Sequence, residues 1–251
     1  MKRAVAGKSH PLRSPSLCNV KAVVFDAYGT LLDVAAAARR CEDALGGKAA
    51  LLSEIWRMKQ LQYTWLRSLM GEYVDFAAIT AGALEYALDA VGLQDKDDRL
   101  RRRLMDVYRK LDAYSDAKPT LRALRRMGLK TAILSNGSPA MLRSAVKSAG
   151  IDSLLDEVLS VHPLKIYKPD QRVYRLATRA FKLKPAEICF VSGNGWDAWA
   201  AARFGMRVVW INRAGAPVER LPGKIAAQAR ALADVATLLE PRPVKSGFPA
   251  R

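Results

Sequence analysis

The stretch Val20-Lys-Ala-Val-Val-Phe-Asp-Ala-Tyr-Gly-Thr-Leu-Leu-Asp33 decides how the rest of the chain is read. Val20 to Phe25 is a short, β-branched apolar run, the composition of a strand buried on both faces of a parallel sheet. It stops at Asp26, followed by Gly29 and Thr30, so a carboxylate stands at the carboxyl end of a buried strand. In open α/β sheets that edge is where ligands bind. Asp is also common as a turn former, and only the downstream sequence separates the two readings.

Outward from this strand, Val34–Ala44 reads as a helix stopped by Gly46-Gly47. Ala50–Met70 reads as a longer one, with Leu51, Leu52, Ile55, Trp56, Leu61, Trp65 and Leu69 as its apolar stripe. Phe76–Val91 and Asp97–Leu111 add two more. About eighty residues of helix therefore separate the first strand from the next, far more than a crossover needs. They form an inserted helical domain, expected to lie over the strand end that carries Asp26.

The α/β rhythm resumes at Pro119. Leu129–Leu134 is a second buried strand ending in Ser135-Asn136-Gly137, and Ser138-Pro139 is a cap followed by a first-turn proline. Glu157–Ser160 is a short strand leading into the loop 162–169, and a helix over Asp170–Phe181 follows. Glu187–Val191 ends in Ser192-Gly193-Asn194-Gly195-Trp196-Asp197, a helix runs from Trp196 to Phe204, and Arg207–Ile211 is the last clear strand. Five strands alternating with helices predict an α/β fold, a three-layer parallel sheet. At one edge of it gather Asp26, Thr30, Ser135, Asn136, Lys168, Ser192, Asn194 and Asp197. Chance could place one or two polar residues there; four strand-end clusters read as a site.

Composition bounds the alternatives. The chain has 251 residues, half of them hydrophobic, and no apolar run long enough to span a membrane. Residues 1–19 are basic, rich in Ser and Pro and without an apolar core, which argues for a disordered extension rather than a secretory signal. Cys18, Cys41 and Cys189 are too few and too scattered for a metal site or a disulfide framework, which fits a reducing cytoplasm. The net charge of +17 is spread along the chain without a zinc-finger or other nucleic-acid-binding spacing. A basic surface that attracts small anions is expected, with no nucleic-acid or membrane partner.

The clusters FDAYGTL (25–31), LSNGS (134–138), YKPD (167–170) and FVSGNGWD (190–197) resemble the motifs of the haloacid dehalogenase superfamily. More narrowly, WRMKQLQYTWLRSLMGEY (Trp56–Tyr73) and INRAG (Ile211–Gly215) are similar to segments of the type II L-2-haloacid dehalogenases. The resemblance covers about residues 20–215 and implies a Rossmann-like core, residues 20–33 and 114–240, with a helical cap at 34–113 and a tail at 241–251.

The residues can be weighed against the chemistry of that superfamily. A phosphatase of this kind needs an acid two positions after the nucleophile, where this chain has Tyr28, whose pKa near ~10 makes it a poor proton donor at neutral pH. It also needs a carboxylate for Mg²⁺ in the last motif, where Asn194 stands. An intact nucleophile without a leaving-group acid or a good metal site suits expulsion of halide. A Mg-dependent phosphatase and a basic nucleic-acid-binding protein are the competing readings.

The resemblance implies that Asp26 displaces halide from a short L-2-haloacid with inversion, and that water then hydrolyses the aspartyl ester to the D-2-hydroxyacid. Lys168 would keep Asp26 ionised and oriented, and Arg57 would cradle the halide. Ser135 and Asn136 would receive the substrate carboxylate; Thr30, Tyr174, Ser192 and Asn194 would surround the nucleophile; and Asp197 would orient water while pairing with Lys168. Tyr28, Leu61, Phe76 and Trp196 would wall the alkyl group. No metal or other cofactor is implied, and a homodimer touching through the Trp65–Met70 helix is. Gly193 and Gly195 stand where that family more often carries Ser or Ala, and they are expected to loosen the loop bearing Asn194 and Asp197.

Overall fold

The computed structural model describes residues 17–34, 36–93 and 98–240. Residues 1–16 of the expected extension and the tail 241–251 lie outside the described residues. The chain opens with β1 (Ala22–Phe25), then runs through five helices: α1 (Ala36–Arg39), α2 (Glu42–Leu45), α3 (Ala49–Met70), α4 (Phe76–Ala90) and α5 (Asp98–Arg109). It continues as α6 (Ala117–Arg126), β2 (Lys130–Ser135), α7 (Pro139–Ser148), β3 (Glu157–Ser160), α8 (Gln171–Phe181) and β4 (Ile188–Ser192). The remaining elements are α9 (Gly195–Phe204), β5 (Arg207–Ile211), β6 (Ala227–Ala229) and α10 (Ala233–Leu239).

The strands form one parallel sheet in the order β3-β2-β1-β4-β5-β6. Every residue of β1 and β4 is buried, as their unbroken apolar composition requires. The chain builds outward from β1 to β2 and β3, then crosses back to lay β4 on the other side of β1. Phe25 is in register with both Ile133 and Val191. The ends of β1, β2 and β4 therefore come level, and Asp26, Ser135 and Ser192 follow at the edge where the winding direction reverses. That reversal leaves the cleft in which α/β sheets hold ligands.

The helical segment leaves and rejoins the sheet along one seam. The Asp33 amide donates to Asp112 O at 3.0 Å, and the Tyr114 amide to Leu31 O at 2.9 Å. Caps fix the helix starts: Asp75 accepts from the Ala78 amide at 2.8 Å, and Ser138 caps α7 ahead of Pro139. Among the described residues no helix is long and apolar enough to cross a membrane.

Three expectations need correction. Val34–Ala44 is not one helix but two four-residue helices, α1 and α2. The buried stripe of α3 runs Leu52, Trp56, Gln60, Thr64, whereas Leu51 and Leu69 are 51% and 85% exposed. The sheet has six strands rather than five. The sixth, Ala-Gln-Ala, has no β-branched residue and sits in an alanine-rich run. Backbone pairing with β5 makes it a strand, with the Asn212 amide donating to Ala229 O at 2.8 Å and the Ala226 amide to Val208 O at 2.8 Å.

Candidate active site

Asp26 follows β1 directly and is 6% exposed. Its two oxygens accept from three side chains of separate origin. Lys168 Nζ donates to Oδ1 at 3.0 Å, while Thr30 Oγ1 at 3.0 Å and Asn194 Nδ2 at 2.7 Å donate to Oδ2. Thr30 in turn accepts from the Gly193 amide at 2.8 Å, which ties the turn after β1 to the turn after β4.

Lys168, 1% exposed, lies between two carboxylates, with Asp197 Oδ2 at 2.8 Å on its other side. Burial alone would pull its ammonium below the ordinary lysine value, but the Asp197 and Asp26 carboxylates outweigh burial and raise it. Asp197 is fully buried and accepts from Tyr174 Oη at 2.7 Å and Ser192 Oγ at 3.2 Å. Burial pushes its carboxyl up to about 6 despite the adjacent ammonium. Burial and the neighbouring Asp197 raise the Tyr174 phenol well above its ordinary value.

Arg57 enters from α3. Its Nη2 donates to Asn194 Oδ1 at 3.2 Å and to Tyr28 O at 3.3 Å, so the helical segment reaches the residues that hold Asp26. Its Nη1 donates to Gln60 Oε1 at 2.7 Å, which also accepts from Tyr108 Oη at 2.9 Å, while Gln60 Nε2 donates to Thr80 Oγ1 at 2.7 Å. Gln60 and Tyr108 were not expected at the site. The signal for Gln60 was a polar residue one turn after Arg57 on the face that Trp56 shares; Tyr108, an aromatic on an amphipathic helix, carried none.

A narrow cavity of about 10 Å³ lies over Asp26, lined by Tyr28, Arg57, Leu61, Phe76, Ser135, Asn136, Asn194 and Trp196. It has room for about one water molecule. The structure thus brings the residues expected around the substrate to one cavity, whereas Tyr174, expected beside the nucleophile, stands behind Asp197, outside the residues lining the cavity. Tyr174 can orient Asp197 but is not placed against substrate. Asn136 spends its amide oxygen on the Lys168 amide at 3.0 Å, fixing the loop that delivers the lysine. The Tyr28 hydroxyl and the Trp196 indole N–H are buried without a hydrogen-bond partner among the described residues. Burial, followed by the neighbouring Tyr108, raises the Tyr28 phenol far above its ordinary value, which makes it a still weaker acid than an ordinary tyrosine.

Gly193 departs from its expected part. A Cβ there would stand 2.3 Å from Gly29 O, so this glycine closes two loops tightly on each other rather than loosening one. No group of three or more His, Cys, Asp or Glu side chains suited to a metal ion occurs among the described residues. Asn194 presents N–H, not an oxygen, to Asp26.

Comparison with known proteins agrees with this geometry. A haloacid dehalogenase-like hydrolase family model matches residues 20–205. The chain is 48% identical over 200 residues to (S)-2-haloacid dehalogenase 1 of Pseudomonas sp. strain CBS-3, covering 80% of this chain and 88% of that protein. It is 45% identical over 221 residues to (S)-2-haloacid dehalogenase 4A of Burkholderia cepacia, covering 88% and 95%. The solved L-2-haloacid dehalogenase from Xanthobacter autotrophicus with chloropropionic acid covalently bound superposes with a TM-score of 0.80 at 37% identity, over 88% of this chain and 98% of that one. With the motifs, the fold and these relatives in agreement, the chain belongs to the haloacid dehalogenase-like hydrolases and, within them, to the (S)-2-haloacid dehalogenases.

Proposed function

We propose that the chain hydrolyses short L-2-haloacids to D-2-hydroxyacids and halide, with Asp26 as the nucleophile. The observation that carries this reading is a single carboxylate held by Lys168, Thr30 and Asn194, with a phenol of raised pKa rather than a carboxylic acid at position 28 and an amide N–H at position 194. Such a site can attack carbon and release an anion that needs no proton. It offers no acid to an alkoxide leaving from phosphorus.

The steps follow from the positions. An oxygen of Asp26 forms a bond to C2 from the face opposite the halogen as the carbon–halogen bond breaks, and the halide leaves with the electron pair. Arg57 carries the guanidinium nearest the cavity and stabilises that developing charge. Ser135 and Asn136 hold the substrate carboxylate; Tyr28, Leu61, Phe76 and Trp196 surround the alkyl group. Water then adds to Asp26 Cγ and gives a proton to Asp197. As the acyl–oxygen bond breaks, Asp197 returns that proton to the departing 2-oxygen, and the hydroxyacid leaves with inverted configuration, carrying an oxygen from Asp26. Thr30, Ser192 and Tyr174 act through the carboxylates that they hold.

Residues 34–113 serve as the cap over this centre, and 20–33 with 114–240 as the core. A homodimer through the exposed end of α3 is supported by Leu69 and Met70, 85% and 68% exposed. Three unpaired cysteines support a reducing, cytoplasmic setting.

The test is halide release from L-2-chloropropionate in EDTA, followed by a single turnover in H₂¹⁸O. The expected result is metal-independent release with ¹⁸O in Asp26 and none in the first product molecule. Turnover only of phosphate esters with added Mg²⁺ reverses the reading; label in the first product removes the ester intermediate.

A further inference from the structure

Beyond the last residue matched by the family model, the loop 212–226 runs as a strap along α9, the helix that carries Trp196 and Asp197. Two points of close approach seat it. A Cβ on Gly195 would stand 2.6 Å from Glu219 Oε1 and 2.7 Å from Glu219 Cγ, and a Cβ on Gly223 would stand 2.6 Å from Trp199 O. The loop is braced at its base, where Asn212 Nδ2 donates to Ala216 O at 2.8 Å and Asn212 Oδ1 accepts from the Ala216 amide at 2.8 Å. Glu219 is thereby held half-buried against the first residue of α9.

That helix start lacks an ordinary cap. Asn194 occupies the cap position but makes no capping bond, because its Oδ1, the atom that would accept one, takes the Arg57 guanidinium, while its Nδ2 donates to Asp26 and Tyr28 O. A carboxylate beside an uncapped helix N-terminus is favourable, since the helix dipole is positive there. The three site residues of this turn are not tethered alike. The Asn194 and Asp197 side chains are each fixed by several hydrogen bonds. Trp196 has an unpartnered indole N–H and an edge-to-face contact with Trp65 at 5.4 Å. Its place in the cavity wall follows the course of the backbone at the start of α9, and Glu219 lies beside the preceding residue, Gly195.

We infer that Glu219 is a positioning residue that sets alkyl-chain selectivity by fixing Trp196 against the cavity. The inference rests on the dehalogenase reading above. Trp196 forms part of the wall that faces the alkyl group, so a freed Trp196 gives room to longer chains. One methylene in such a pocket is worth about 10–200-fold in specificity, so a partial release is readable.

The test compares kcat/KM for chloroacetate, which has no alkyl group beyond C2, with that for L-2-chlorobutyrate, in the unmodified protein, Glu219→Ala, Gly195→Ser and the double variant. The Ser side chain would claim the space that Glu219 occupies. Both single variants are expected to raise the chlorobutyrate-to-chloroacetate ratio by about 3–10-fold. Chloroacetate turnover is expected to stay within about twofold, and the double variant to add nothing, because both changes break one contact. An unchanged or lowered ratio, an equal loss on both substrates, or additive effects overturn the inference. No halide from either substrate with the unmodified protein would instead defeat the dehalogenase reading itself.

Discussion

Asp26 gathers three donors from three separate turns while lying almost out of water. Asp26→Asn is expected to abolish halide release while the circular dichroism spectrum remains that of the folded protein, with some loss of Tm because Lys168 loses one of its two carboxylate partners. An active variant, shown by mass spectrometry not to have deamidated, would remove Asp26 from its role. The buried Lys168–Asp197 pair gives two pH limits. Burial holds the Asp197 carboxyl at about 6, so below that pH it is protonated and cannot take a proton from water. The acid limb of kcat is expected near pH 6, with single-turnover halide release persisting below it; loss of both together would argue against Asp197 acting in hydrolysis alone. Lys168 has its folded-state pKa raised. Its contribution to stability is complete below the ordinary lysine value and is lost as pH climbs through the higher folded value. A fall in Tm above about pH 10.5 checks this.

At the scale of elements, α3 does two opposite things along its length. Its buried face carries Trp56 and Gln60, and Gln60 aims Arg57 while also satisfying Tyr108 and Thr80. Gln60→Leu keeps the volume but leaves Arg57 Nη1 and the Tyr108 hydroxyl without their partner, at about 1–3 kcal/mol for each that stays buried, while Thr80 keeps its bond to Phe76 O. The expected outcome is a kcat/KM loss of about tenfold or more together with a lower Tm. A loss in Tm alone, with unchanged kinetics, would mean that Arg57 does not need this brace. The glycine loops after β1 and β4 belong to the same scale. Gly193 is required by the approach of Gly29 O rather than by a need for freedom, which a reading of propensity alone had inverted.

Across the whole molecule, the winding of the sheet puts the ends of β1, β2 and β4 level, and the helical segment closes over them from one seam. The same segment turns Leu69 and Met70 outward. If the homodimer proposed above forms through this end of α3, Leu69→Lys is expected to shift the sedimentation coefficient from dimer towards monomer; a monomeric unmodified protein overturns the proposal, and an unchanged dimer moves the interface elsewhere.

The sequence by itself determined the α/β alternation, the length of the helical insertion and the strand-end polar residues, because strand and helix periodicity and turn residues act over a few neighbours. It also determined the chemical class, since the residue types at positions 28 and 194 decide which leaving group can be served. It could not determine what lies beside what between distant parts of the chain. That Tyr174 stands behind Asp197, that Gln60 and Tyr108 brace Arg57, that Gly29 O abuts Gly193 and that an alanine-rich run becomes β6 were settled only by tertiary packing. These outcomes depend on close packing and on buried polar groups finding partners, and neither is a property of local sequence.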